Sequence, residues 1–312
     1  MRTMTGLLAT GLLLSTACRP SPEANPEFDD AAKFVFRSFD AEPAVLAFAL
    51  REMERQVYLS IDVEGGGVID RAVELSPITE EDVAAIDTPG RDLSAAAPVA
   101  LAGLSPYGPE YHQLIQFMPD QTVVEPYSPE LYDREFLEST EECWEDQGCE
   151  YLKTYNVLVK ENPIYGDIPY EFHKHFRWVD LNLPDPDTVP EGEQPVNEGE
   201  PRWAYVARSW TTEEWYANDS RAILQSYTID MWIPRDGGGF IRSSDDVNQD
   251  DGDWTTDSNG EGSLRMLALW HETLLGGTIQ DGDAAAAFTR GGIQNNFDAA
   301  DEWIEENFFA DE

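Results

Sequence analysis

The stretch RGGIQNNFDAADEWIEENFF, residues 290–309, decides the fold. Ile293, Phe297, Ala300, Ile304 and Phe308 recur at spacings of four and three, which aligns them along one stripe of an α-helix. Asp298, Asp301, Glu305 and Glu306 fall off that stripe. Such a helix must lay its apolar side on another layer, and the segments before it supply one. Strand patterns run through 152–160, 167–181, 202–210, 221–234, 238–244 and 263–272. In the 221–234 run, Ile223, Tyr227, Ile229, Met231 and Ile233 alternate with polar residues, as in a half-buried strand. A short glycine-rich connection after Pro234 reads as a hairpin. Strands followed by a long amphipathic helix predict an α+β fold, a curved antiparallel sheet packed on the C-terminal helix. A β-sandwich with an added helix is the alternative.

The segment WHETLLGG (270–277), followed by AAAAFTRGGIQNNFDAADEWI (284–304), resembles the end of the START and polyketide-cyclase superfamily, the helix-grip or SRPBCC proteins. In that family a strand leads through a double-glycine turn into the long helix gripped by the sheet. Gly291-Gly292-Ile293 matches the turn, with Gln294 where the family has proline. The resemblance covers roughly 150–312, with an N-terminal helix and hairpin at 40–75 as a further counterpart. It implies a hydrophobic ligand held between sheet and helix. The residues expected to line that space are Tyr227, Ile229, Met231, Met266, Trp270, Ile293, Phe297 and Ile304, which would serve equally as a filled core.

Residues 28–142 read as a mixed N-terminal region and 143–312 as the sheet with its helix. A helical pattern covers 28 to about 58, with Asp40 as an N-cap inside it. Two strands joined through Gly65-Gly66-Gly67 are expected over 57–75, a short helix from Thr79, and helices near 107–116 and 128–138. The acidic, proline-rich stretch 184–201 lacks apolar periodicity and is expected to be exposed.

The chain starts MRTMTGLLATGLLLSTAC. Arg2, an apolar run too short to span a bilayer, and small residues leading to Cys18 resemble a bacterial lipoprotein signal. The resemblance implies a signal peptide at 1–17, lipidation of Cys18, a tether at 18–27, and anchoring to the cell envelope, the outer membrane favoured over the inner. An ordinary cleaved signal is the alternative. Removing 1–17 takes away only one charge, Arg2.

With 61 acidic against 20 basic side chains, the net charge of -41 repels nucleic acid and anionic headgroups. A hydrophobic share of 41%, with nine Trp, twelve Tyr and fourteen Phe, is too apolar for a disordered chain. With Cys18 as the anchor, Cys143 and Cys149 remain, and a disulfide is the reading that suits an exported protein.

Glu171, His173 and His175 alternate along one strand, a spacing that can present metal ligands on one face. The competing reading puts that face, with Arg177, in solvent. No cofactor is expected. Calcium at 245–262, on Asp246, Asn248, Asp250, Asp253 and Asp257, is the alternative, although the EF-hand register fails because position six is Asp251. His271-Glu272 lacks the second histidine of a zincin, Leu275 standing in its place. There is no GxSxG elbow or P-loop, so no catalytic residue is singled out and a non-enzymatic role is expected. Arg177, Arg208, Arg265 and Arg290 are candidate partners for buried acids, lysine being limited to Lys33, Lys153, Lys160 and Lys174. The functional expectation is a lipid-anchored binder of an apolar molecule. The alternative is an interaction lipoprotein with an acidic surface and a filled core.

Overall fold

The structure is a computed structural model that describes residues 27–60, 75–118, 121–122, 130–138, 140, 149, 151–160, 167–190, 193, 195–196, 199–235, 262–275 and 282–309. Its strands are β1 (Ala97–Ser105), β2 (Glu130–Glu138), β3 (Tyr151–Lys160), β4 (Ile168–Asp180), β5 (Trp203–Trp210), β6 (Trp215–Asn218), β7 (Arg221–Pro234) and β8 (Ser263–Leu275). They form one antiparallel sheet in the order β1-β8-β7-β5-β4-β3-β2, with β6 pairing β7. The helices are α1 (Phe28–Arg37), α2 (Pro43–Ser60), α3 (Pro109–Phe117) and α4 (Gly282–Ile304), the last continued by a π-helical turn, Glu305–Phe309. The α+β class, the antiparallel sheet and the C-terminal helix are as expected. The β-sandwich alternative is set aside, because the strands join in a single sheet.

Strand register sorts the side chains onto two faces. One row runs Tyr151, Arg177, Val206, Met231, Met266, Ala102 across β3, β4, β5, β7, β8 and β1. This face packs under α1 and α2, with Phe36, Phe39, Leu46 and Leu50 fully buried against it. Trp270 sits edge-on to Phe36 at 5.9 Å, and its indole N–H donates to the Ser76 carbonyl at 3.0 Å. The opposite face carries the row Leu152, Phe176, Ala207, Asp230, Leu267, Leu101. It packs under α3, through Phe117, and under α4, through Ile293 and Phe297. Helices therefore cover both faces of the sheet, where the expectation had a single gripping helix.

Two buried arginines close the C-terminal end of α1. Arg177 Nη1 donates to the carbonyls of Phe39 and Ala41 at 2.6 and 2.8 Å, and Arg208 Nη1 to that of Phe36 at 3.3 Å. Positive charge there also complements the helix dipole. Arg208 pairs with Asp40 and Arg265 with Asp301; the arginines are the buried members, whereas Asp40 is exposed and Asp301 half-buried, so these are not the buried acids expected. Arg177 binds carbonyls and is fully buried, so the face with His173 and His175 does not simply lie in solvent.

Several local expectations need correction. Residues 130–138 form β2, because pairing with β3 (Phe136 opposite Thr154) outweighs the helix-prone Glu and Leu content. The Pro- and Ala-rich 97–105, for which no strand was expected, is edge strand β1, whose small Ala100 and Ala102 are nearly fully buried in the helix-pair core. The segment from Thr79 makes a hydrogen-bonded turn and no α-helix; Asp82 Oδ2 accepts from Thr79 N and Oγ1 at 3.0 and 2.7 Å. Asp40 pairs with Arg208 and caps no helix, since α2 opens on the Glu42 carbonyl. Val57–Ser60 continues α2, and 61–74, with the expected Gly65–Gly67 turn, lies outside the described residues. Because β1 and β2 join β8 and β3, the sheet crosses the expected 142/143 boundary. Val196, in the proline-rich stretch, is 69% exposed.

Gly291 and Gly292 lie inside α4, and Gly90 is the glycine with positive φ among the described residues. The expected double-glycine turn is thus helix, because the helix begins ahead of it at Gly282.

Candidate functional site

The eight expected liners do not share one space. Tyr227, Ile229, Met231, Met266 and Trp270 lie on the helix-pair face and are 0–1% exposed, packed as core under α1 and α2. Ile293 and Phe297 lie on the other face, against Val99 and Leu101. Ile304 packs on Ile115 of α3. The sequence could show that alternate residues of 221–234 face one way. It could not show that the N-terminal helices, and not α4, cover that side.

The face that α4 does cover has a different character. Beside α4 it is apolar, with Val99, Leu101 and half-buried Leu267, and half-buried Leu269 follows Leu267 on the same face of β8. Following the register from Leu269 away from α4 gives Thr228, Ser209, Lys174 and Thr154. Of these Thr228, Ser209 and Lys174 are half-buried, whereas Thr154 is fully buried. This row lies beside the C-terminal end of α3, where Gln116 reaches Lys174. The neighbouring rows hold Asp230, Tyr205, Trp178 and Trp232. An apolar lane along α4 thus adjoins a polar floor across β7, β5 and β4.

Lys174 is held from several sides. Its Nζ donates to Gln116 Oε1 at 2.8 Å and stands 3.4 Å from Asp230 Oδ2 and 5.5 Å from the Phe176 ring centre. A chain of hydrogen bonds supports its backbone. Arg134 Nε donates to Asn156 Oδ1 at 2.7 Å, Asn156 Nδ2 to Thr154 Oγ1 at 3.0 Å, and Thr154 Oγ1 to the Lys174 carbonyl at 2.7 Å. In a neighbouring row of the same face, Tyr205 stacks on Trp232 with ring centres 4.2 Å apart. The Tyr205 hydroxyl is buried without a hydrogen-bond partner among the described residues, and burial with the nearby Asp230 charge pushes its pKa well up. A buried unpaired hydroxyl is costly and uncommon. Sequence reasoning passed over Lys174, Asp230 and Tyr205 because each sits singly in a different strand. The signal was a lone lysine on the face of Phe172, Phe176 and Trp178.

A second polar cluster ties α4 to the sheet. Arg265 Nη1 and Nη2 donate to Asp301 Oδ1 and Oδ2 at 2.9 and 2.7 Å, Arg265 Nη1 also to the Phe297 carbonyl at 3.0 Å, and Ser105 Oγ to Asp301 Oδ1 at 2.8 Å. His112 Nε2 lies 2.9 Å from Ser105 Oγ. The residue types are those of an acyl-transfer triad but the order is not. The carboxylate binds the serine hydroxyl, and its 3.9 Å approach to His112 is to the same Nε2 that faces the serine. Ser105 is also fully buried. The cluster is a clamp. Burial pushes the His112 pKa well down and keeps the ring neutral, and it raises Asp301 against the pull of Arg265.

Glu171, His173 and His175 do share a face, but among the described residues they gather no set of three metal donors. Glu171 accepts the Tyr155 hydroxyl, and His173 stacks on Trp210 at 5.1 Å. His175 lies edge-on to Trp210 at 4.7 Å, with both ring nitrogens buried and unbonded among the described residues. Burial, with Arg208, His173 and Lys153 nearby, lowers the His175 pKa to about 3. The alternation that suggested ligands here builds an aromatic contact. Cys149 is disulfide-bonded. Cys143, Cys18 and the candidate calcium loop at 245–262 lie outside the described residues, apart from Gly262 at its end.

No protein-family profile and no curated protein matches the chain. Similar solved structures include TTHA0849 from Thermus thermophilus, 12% identical, covering 68% of this chain and 99% of that one, with a TM-score of 0.36. The lipid transfer and protein localization domain of human StarD13 is 9% identical over 67% of this chain and 77% of that one, with a TM-score of 0.31. A STAR-related lipid transfer protein from Xanthomonas axonopodis is 11% identical over 66% of this chain and 84% of that one, with a TM-score of 0.30.

Proposed function

We propose that this protein is an exported, lipid-anchored envelope protein that holds an apolar small molecule on the face covered by α4. The observation that supports the reading is half-buried Leu267 packed with Ile293 and Phe297, followed on the same strand face by half-buried Leu269 and bordered in the register by half-buried Thr228, Ser209 and Lys174. Binding sites are commonly apolar walls with a few converging polar groups. The proposed site is on the sheet face under α4, and the strand residues beside it are not the expected Tyr227, Ile229, Met231, Met266 and Trp270. The role is binding without catalysis.

The test is titration of the full chain with the neutral fluorophore N-phenyl-1-naphthylamine. Saturable binding is expected, weakened at least ten-fold by Leu269→Asp, a substitution at a half-buried position. Absence of saturable binding would instead favour an interaction protein with a filled core, a reading supported by the tight packing under α1 and α2. For the anchor, Cys18→Ala is expected to release the protein from the membrane fraction; retention there would overturn it.

A further inference from the structure

We infer that the molecule held beside α4 is an amphiphile with a single negative charge, a carboxylate whose head sits on Lys174 and whose chain lies along Leu269, Leu267 and Ile293. This rests on the binding reading above and adds the chemistry of the head group.

The charge follows from the floor. An ammonium has three N–H donors. Gln116 Oε1 takes one, and Asp230 stands at the longer distance of 3.4 Å, which leaves donor capacity on a side chain that is 14% exposed. Half-buried Ser209 and Thr228 are the next residues in the same row and add hydroxyl donors. Together they suit an oxygen anion, in a chain whose net charge of -41 otherwise repels anions. Asp230 limits the charge. A dianion such as a phosphate monoester would place a second negative charge beside this buried carboxylate, whereas a carboxylate brings only one. The tail follows from the lane, because Leu269 adjoins Thr228 and Leu267 adjoins Asp230 in the register, and Ile293 packs on the far side of Leu267 with Val99 and Leu101.

The experiment displaces N-phenyl-1-naphthylamine from the full chain with dodecanoate, dodecanol and dodecylamine, each below its micelle concentration. Dodecanoate is expected to bind at least ten-fold more tightly than dodecanol, in the range of a charge-assisted hydrogen bond. Lys174→Met should bring that ratio close to one. The double variant Lys174→Met with Asp230→Asn removes both charges, avoids stranding a buried carboxylate, and should give the same loss of preference. Equal affinities for all three compounds in the wild type would overturn the head-group assignment and leave the apolar lane standing. A preference for dodecylamine would also overturn it, with Asp230 as the group recognised. If neither the fluorophore nor any of the three compounds binds, the binding reading itself fails.

Discussion

Asp301 shows how one carboxylate on a helix can fix a layer. It receives Arg265 in bidentate fashion together with the Ser105 hydroxyl, and Arg265 is 3% exposed. Removing one partner of a buried pair leaves the other charge uncompensated, at a cost of about 3–5 kcal/mol. Asp301→Ala should therefore lower the unfolding free energy by that amount in urea titrations; a loss below about 1 kcal/mol would show that the clamp does not hold α4. His175 predicts the acid behaviour. Its folded pKa is about 3, below the ordinary 6.5, so the unfolded chain takes up its proton first as pH falls. Its contribution is fully present above about pH 6.5 and is lost as pH drops toward 3, by up to about 1.4 kcal/mol per pH unit. In His175→Phe the stability–pH slope between these limits should flatten by about one proton, and an unchanged slope would contradict the burial. From sequence, Asp301 was only an acid off the helix stripe, and His175 was one of two alternating imidazoles. Their partners come from β8, β1 and β5, residues distant along the chain.

Among the elements, α4 was the most legible and also held a misreading. Its stripe placed Ile293 and Phe297 correctly against the sheet. The glycine pair within it looked like a turn, since glycine often ends helices, yet the helix runs through both positions. A Cβ at Gly291 or Gly292 would meet nothing within 4 Å. Alanine in a helix is favoured over glycine by about 0.5–1 kcal/mol, so Gly291→Ala and Gly292→Ala should each raise the melting temperature. A lower melting temperature would mean that α4 needs the flexibility of glycine. The long strands β3, β4, β5, β7 and β8 were readable from alternation. The edge strands β1 and β2 were not, because a sheet edge needs pairing on one side only and tolerates Ala, Pro, Glu and Arg.

For the whole molecule, charge sets the behaviour in solution. A balance of -41 on one chain repels itself, and salt shortens the range of that repulsion from about 10 Å at 0.1 M to about 3 Å at 1 M. The thermal midpoint should rise with sodium chloride between these concentrations. A fall would show that attractive pairs such as Arg91 with Glu214 and Glu272 outweigh the general repulsion.

The sequence by itself determined the α+β class, the antiparallel strands and the terminal helix, because each is written in local periodicity of two or of about 3.6 residues. Tertiary structure decided which face each helix covers. Alternation says that Tyr227 and Thr228 point opposite ways, but it is silent on which of them meets α4. That depends on α1 and α2 docking over Met231 and Trp270, contacts between segments far apart along the chain. The same docking left Lys174, Ser209 and Thr228 to the face beside α4, so the polar floor of the candidate site became visible only once both layers were in place.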